Sequence, residues 1–277
     1  MGLQDLQRPS AKRQPSAVRL RSVYDEIADY YDTLYATKDY ESECRFLRAV
    51  FRKYRRPVRR ILDLGCGTGS HAGILGRDSA TPVADRVIVT GVDRSERMLE
   101  KARMKFPHLD FRRGDITTYR SSDSYDAALA LFDVLGHVPV QDLERVFHTA
   151  NYHLTADGLF IFDAWNRAAL MRGQRPHGRL DQYKAPQCAS PHLFKYVEMY
   201  YVQDDDAGHV EYVVIDLACQ KVIRHEYKAT LLTEERVREL CQTTGFNLLS
   251  YTRHCTLAQR PLSRDWRVSV VLQKATS

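Results

Sequence analysis

The chain has 277 residues, 44% hydrophobic and 27% charged, with a formal net charge of +6. That length and apolar content suit one large α/β domain with a sizeable core, and the absence of any run of about 18 apolar residues excludes a membrane-spanning helix. The six cysteines (Cys44, Cys66, Cys188, Cys219, Cys241 and Cys255) lie apart, without a C-x-x-C pair or a histidine at metal spacing; with no apolar leader in evidence, they predict reduced thiols in a cytoplasmic protein and no metal centre.

Residues 1–21 carry Arg8, Lys12, Arg13, Arg19 and Arg21 against Asp5, together with Pro9 and Pro15, and show no periodicity. They are expected to form a disordered basic tail. Residues 22–56 read as a pair of helices. The first carries an apolar stripe of Tyr24, Ile27, Ala28, Tyr31 and Leu34, and the region is dense in tyrosine. The second, about 41–55, buries Phe46, Leu47, Val50 and Phe51 and turns Arg45, Arg48, Arg52 and Lys53 outward. That basic face is a solvated surface or an attractor of anionic substrates.

Strands and helices then alternate. Strands are predicted at about 59–65, 86–93, 109–113, 126–132 and 159–163. Ser95 caps a helix with Met98, Leu99 and Ala102 facing inward, and a further helix spans about 140–153. Repeated β-α units of this length imply a parallel, doubly wound sheet. Residues 166–192 are polar, rich in Pro and Gly, and read as irregular. Strand-like runs near 193–203, 209–218 and 221–231 follow, with Asp204–Gly208 as a hairpin loop and an alternation that predicts an antiparallel sheet with one wet face. Thr233 caps a helix that Gly245 ends, and strands at about 246–252 and 266–273 close the chain. The expected core is 57–165 plus 233–277, with 166–232 as an insertion.

The first strand runs through Asp63 into Gly65-Cys66-Gly67-Thr68-Gly69, and the second ends on Asp93. Glycines there let backbone N–H groups meet a ligand, and an acid at the end of the next strand suits ribose hydroxyls. The third glycine comes one residue too early for the dinucleotide spacing G-x-G-x-x-G, and Asp63 suits an ammonium better than a pyrophosphate. A cofactor bearing a carboxylate and an amine fits better than one with two phosphates. Cys66 is read as a small side chain that the turn accommodates.

These residues resemble the class I S-adenosylmethionine-dependent methyltransferases. Asp63–Gly69 is close to that family's first motif, and Gly114-Asp115-Ile116, Phe132 and Asp157-Gly158-Leu159-Phe160 follow in the family's order. The resemblance implies a seven-stranded Rossmann-like methyltransferase sheet with an antiparallel β insertion after strand five. It implies S-adenosylmethionine as cofactor. Asp93 would hold the ribose hydroxyls, Arg94 and Met98 would flank the adenine, Asp115 would pair with the adenine amino group and Ile116 would pack on the ring. Phe132 at the end of strand four would lie under the cofactor, and Tyr31, Tyr40, Asp63, Gly65, Cys66, Gly67 and Gly69 complete the implied set.

For the acceptor, strand four leads into Phe132-Asp133-Val134-Leu135-Gly136-His137 rather than the D-P-P-Y-like tetrad of DNA amino-methylases. No acid set for a metal-assisted catechol methylase is evident. The tyrosine-rich start, Gly136-His137 and Phe162-Asp163-Ala164-Trp165-Asn166 are similar to sugar N-methyltransferases of antibiotic biosynthesis, which act on nucleotide-linked amino sugars. On that resemblance the acceptor is a small amine, His137 helped by Tyr24 is the catalytic pair, and the insertion walls the substrate and makes a homodimer. Arg167, Arg172 and Arg175 are candidates for a diphosphate. The alternatives are O- or N-methylation of another small molecule such as an amino acid, aminoglycoside or sugar hydroxyl; RNA methylation, prompted by the basic tail; and a non-catalytic cofactor-binding protein.

Overall fold

The computed structural model describes residues 17–54, 57–77, 87–171, 179–183, 192–202 and 207–276. Helices α1 (Ala17–Leu34) and α2 (Tyr40–Lys53) lead into an alternating core: β1 (Arg60–Leu64), α3 (Ser70–Leu75), β2 (Ile88–Asp93), α4 (Glu96–Lys105), β3 (Asp110–Arg113), β4 (Tyr125–Ala130), α5 (Leu143–His153) and β5 (Leu154–Trp165). A short helix α6 (Arg167–Met171) and strands β6 (Arg179–Tyr183), β7 (Leu193–Val202), β8 (Ala207–Asp216) and β9 (Lys221–Ala229) come next, then α7 (Glu234–Thr244), β10 (Phe246–Arg253) and β11 (Arg267–Lys274).

Seven strands form one sheet in the order β10-β11-β5-β4-β1-β2-β3. β3, β2, β1, β4 and β5 run parallel; β11 is antiparallel to β5, and β10 to β11. β1 has β2 on one side and β4 on the other, so the strand order reverses there and a crevice opens at the carboxyl ends. Both faces are covered, which is why β1 and β4 are apolar along their lengths. Leu62, Leu64, Ala128, Phe160 and Phe162 pack with α5 and α7 on one face. Ile61, Val89, Ala127, Leu129 and Ile161 pack with α2, α3 and α4 on the other.

The second sheet is an antiparallel meander, β6-β7-β8-β9. Burial alternates along the whole of β8, as expected for a strand with one wet face. Its inner residues Leu193, Tyr212, Val214 and Ile223 meet Ile27, Leu34 and Met98 in one cluster. Helix α1 is thus sandwiched between the second sheet and α4. Thr230, just after β9, ties this sheet to the core: its N–H donates to the Gly136 carbonyl (2.9 Å) and its hydroxyl to the Val138 carbonyl (2.6 Å).

Several local expectations need correction. Helix α1 begins at Ala17, so the last five residues of the expected tail are helical; residues 1–16 lie outside the described residues. The stretch 166–192 contains α6 and β6, making four strands in the second sheet instead of three. The hairpin residues Asp204–Asp206, with Arg172, Arg175 and Cys188, lie outside the described residues. β4 ends at Ala130, and Phe132 sits beyond it in a turn with φ of 68°. Among the described residues, no helix is long and apolar enough to cross a membrane.

Candidate active site

The glycine turn between β1 and α3 closes on β2 through two backbone bonds, from Gly65 N and Cys66 N to the Val92 carbonyl (2.7 and 3.1 Å). Gly67 adopts φ of 54°, and a Cβ there would meet no atom within 4 Å, so this side of the turn faces open space. Gly69, at φ 77°, starts α3; a Cβ on it would stand 2.8 Å from the Phe111 ring. Asp93 anchors the turn from the end of β2. Its Oδ2 accepts from Gly67 N and its Oδ1 from Ser95 N, both at 2.9 Å, which leaves each oxygen a further lone pair. Cys66 is a structural thiol: burial, with Asp93 and Asp63 nearby, raises its pKa well above the usual range.

Asp63 is buried at the end of β1, and its Oδ2 has no hydrogen-bond partner. Burial and the nearby Asp93 push its pKa up to about 7. An unpartnered buried carboxylate beside an open glycine turn fits a ligand carrying an ammonium group. Asp115, after β3, is held by Thr117, whose N–H and hydroxyl both donate to its Oδ1 (2.9 and 2.7 Å). Its Oδ2 lies 3.9 Å from the Arg94 guanidinium. Ile116 packs at the edge of the core beside it.

A second group of residues lines a cavity of about 350 Å³ beside this crevice. Tyr24, Tyr31 and Tyr35 come from α1 and its end, Phe132 and His137 from the segment after β4, and Tyr227 from β9. Tyr24 and His137, 113 residues apart, meet in a 2.8 Å hydrogen bond between the phenol oxygen and Nε2. His137 ends a 3-10 turn over Val134–His137, and its Nδ1 is buried without a partner. Burial, with His225 and Arg94 nearby, pushes its pKa down to about 3. Burial likewise raises the Tyr24 phenol. The pair is therefore neutral near pH 7: a hydrogen-bonding device more than a strong base.

The other proposed cofactor residues divide. Tyr31 lines the cavity, and Phe132 sits between it and a charged cluster, with the Tyr35 ring edge-on at 4.9 Å. Tyr40 packs on His71 and takes the Lys38 ammonium over its ring at 4.4 Å. Met98 is fully buried, clustered with Ile27 and Ala28 of α1. The basic face of α2 is partly engaged: Arg48 donates to the Ile74 carbonyl (3.0 Å) and Lys53 to the Leu257 carbonyl (3.1 Å).

The structure also assembles residues that the sequence reading passed over. Asp133, Trp165, Lys195, His225 and Trp266 also line the cavity. Beside it, Glu43 pairs with Lys38, with His71 Nε2 (2.6 Å), and more loosely with His254 (3.3 Å) and Arg267 (3.7 Å). Glu43, His254 and Cys255 offer ligand atoms within 4.8 Å of one another, a grouping invisible in the linear spacing. Three carboxylates on α1 also latch it down. Asp25 accepts from the Ser95 hydroxyl (2.5 Å), Asp29 pairs with Arg97 (2.5 Å) and Lys101 (2.7 Å), and Asp32 with Thr68 (2.6 Å) and Lys105 (2.8 Å). Their i, i+4, i+7 spacing was a readable signal of a helix face with a polar partner.

Comparison with known proteins agrees with this arrangement. The Methyltransferase domain family matches residues 61–158, the stretch that runs from β1 into β5. The chain therefore carries a stretch similar to a methyltransferase domain. It is 29% identical over 143 residues to the dTDP-3-amino-3,6-dideoxy-alpha-D-glucopyranose N,N-dimethyltransferase of Streptomyces fradiae, a match covering 50% of this chain and 53% of that protein. The chain thus spans about half the length of the curated relatives it matches. An S-adenosylmethionine-dependent methyltransferase from Clostridium acetobutylicum superposes with a TM-score of 0.73 at 20% identity, over 91% of this chain and 99% of that one. An S-adenosylmethionine-bound amino pentose methyltransferase from Micromonospora echinaspora superposes with a TM-score of 0.64 at 17% identity, over 96% and 100%. The open glycine turn, the unpartnered Asp63 oxygen and the spare lone pairs of Asp93 fit S-adenosylmethionine, which the amino pentose methyltransferase binds.

Proposed function

We propose that this chain is a small-molecule N-methyltransferase whose acceptor is an amino sugar or its nucleotide-linked form. The observation that carries this reading is the cavity: an aromatic-walled, partly open space beside the cofactor crevice, with the Tyr24–His137 pair in its wall. Its volume suits a small ligand and not a polymer. The likeness to the fradiae dimethyltransferase and to the amino pentose enzyme supports an aminated sugar.

Asp63 would take the cofactor's ammonium, Asp93 its ribose hydroxyls and Asp115 its adenine amino group, with Arg94, Ile116, Met98, Tyr31, Tyr40 and Phe132 around them. When bound, S-adenosylmethionine supplies a methyl group already activated by its sulfonium. The chain's own work is then to position the acceptor, keep water out and manage a proton. His137, neutral and fixed by Tyr24, orients the acceptor through a hydrogen bond. Helix α1 and the second sheet wall the cavity and limit the access of water to it. The homodimer expected from the insertion belongs to this reading, and sedimentation equilibrium tests it.

The experiment is a screen of methyl transfer from labelled S-adenosylmethionine to nucleotide amino sugars, free aminoglycosides, amino acids and RNA. Label on a nucleotide amino sugar supports the reading; label on RNA, or on no amine at all, overturns it.

A further inference from the structure

We propose that Asp133 is the residue that selects an amine acceptor, its carboxylate receiving the acceptor's ammonium in the aromatic cavity. The inference rests on the N-methylation reading for the acceptor's identity and adds the group that recognises it.

Asp133 occupies an unusual place. Both it and Phe132 adopt left-handed backbone conformations, with φ of 60° and 68°. Consecutive left-handed residues other than glycine are uncommon and carry strain. The surroundings hold them there. Asp133 N–H donates to Asp163 Oδ1 at 2.6 Å, and the Asp133 carbonyl accepts from Gly136 N at 3.0 Å. Gly136 is required as well, because a Cβ on it would stand 2.2 Å from Asp133 Oδ2. The effect of this turn is to place the carboxylate in the cavity wall.

Once there, Asp133 is 5% exposed as a residue, both carboxylate oxygens are buried, and neither completes a hydrogen bond. A buried, unpaired carboxylate is costly and is retained where a ligand completes it. The groups facing it are Asp163 from β5, Arg267 from β11, Tyr24 from α1 and Tyr227 from β9. Arg267 is committed to Asp163 and Glu43. The Trp165 indole and backbone N–H also face the carboxyl and favour its ionised form, although Nε1 falls short of a full hydrogen bond.

The missing partner is a cation small enough to enter the cavity. Tyr35, Phe132, Tyr227, Trp165 and Trp266 present ring faces or edges to the same space, and aromatic faces favour an ammonium over a neutral hydroxyl. Burial and the neighbouring Asp163, opposed by Arg267, raise the carboxyl's pKa well above its ordinary value. An arriving ammonium supplies the opposite charge that favours the carboxylate form.

The test uses the whole protein and needs no turnover. Both of the chain's tryptophans, Trp165 and Trp266, line the cavity, so intrinsic fluorescence reports its occupancy. Cyclohexylammonium is titrated against its neutral twin, cyclohexanol, in the wild type and in Asp133→Asn. The expected result is that the ammonium binds the wild type at least about tenfold tighter than the alcohol, with about a twofold residual preference in the variant. Equal binding of the two probes by the wild type, or an undiminished preference in a folded Asp133→Asn, overturns the proposal. The wild-type comparison stands even if the variant does not fold. Methyl transfer is scored separately. Discrimination without transfer to any amine upholds Asp133 and sinks the N-methylation reading; transfer without discrimination sinks Asp133 alone.

Discussion

Asp63 shows how burial turns one side chain into a measurable property. Its carboxyl holds its proton to about pH 7, whereas an unfolded aspartate releases it near ~3.9. Between those values the native state binds more protons than the unfolded one, so this residue makes the cofactor-free protein lose stability as pH rises from about 4 to 7. Cofactor binding has the opposite dependence, because an ammonium pairs with the carboxylate form. Affinity for S-adenosylmethionine, measured by calorimetry, is expected to rise as pH passes through 7 and then level off; Asp63→Asn should abolish the rise. Asp93→Ala removes both the ribose acceptor and the clamp on Gly67 and Ser95, and should weaken cofactor binding by about 100-fold or more, since it also leaves two backbone donors unpaired. His137, with its pKa near 3, should leave no titration in kcat between pH 5 and 8. His137→Ala is expected to lower kcat while leaving cofactor affinity unchanged; an equal loss of cofactor affinity would assign the residue to the cofactor site. The motif residues were legible because each sits on a strand end, where local spacing and chemistry coincide. Asp133 was not, because its significance lies in a left-handed turn and in partners it lacks.

At the scale of elements, helix α1 is the part whose role its own sequence states least fully. Its apolar stripe was readable, but the stripe serves two neighbours, α4 and the second sheet. Its acidic row serves a third purpose, binding α1 to Ser95, Arg97, Lys101, Thr68 and Lys105 around the cofactor crevice. These pairs are half-exposed, so each contributes about 0.5 kcal/mol or so, weakened by salt. Together they are enough to bias a lid. The variant Asp25→Ala/Asp29→Ala/Asp32→Ala should release bound S-adenosylmethionine about five- to tenfold faster in stopped-flow experiments, with little change in the melting temperature, and high salt should partly reproduce this in the wild type. Unchanged release would mean that the apolar stripe alone holds the lid. Strand β6 was missed because it lies in a stretch broken by Gly173, Pro176, Gly178, Pro186 and Pro191, where neither period-2 alternation nor a sustained apolar run marks it. The remaining strands of the second sheet declared themselves by alternation, most cleanly along β8.

For the whole molecule, the order of elements largely implied the main sheet. Parallel strands buried on both faces appear as continuous apolar runs, and connections of this length leave right-handed crossovers as the plausible path. The reversal of strand order at β1 then located the crevice. The cavity could not be read in the same way. Its wall gathers residues from α1, the turn after β4, the end of β5, the second sheet and the segment before β11, and no local pattern announces that they meet. The Tyr24–His137 hydrogen bond joins two residues of this wall that the sequence reading names together. The proposed function assigns recognition of the acceptor to that assembly, so the central claim is best tested by competition. Equal amounts of dTDP-3-amino-3,6-dideoxyglucose and its 3-hydroxyl counterpart are incubated with the protein and methyl-labelled S-adenosylmethionine, and the label on each is counted. Label on the amino sugar alone is the predicted result; label on the hydroxyl sugar at a comparable rate, or on neither, would contradict it.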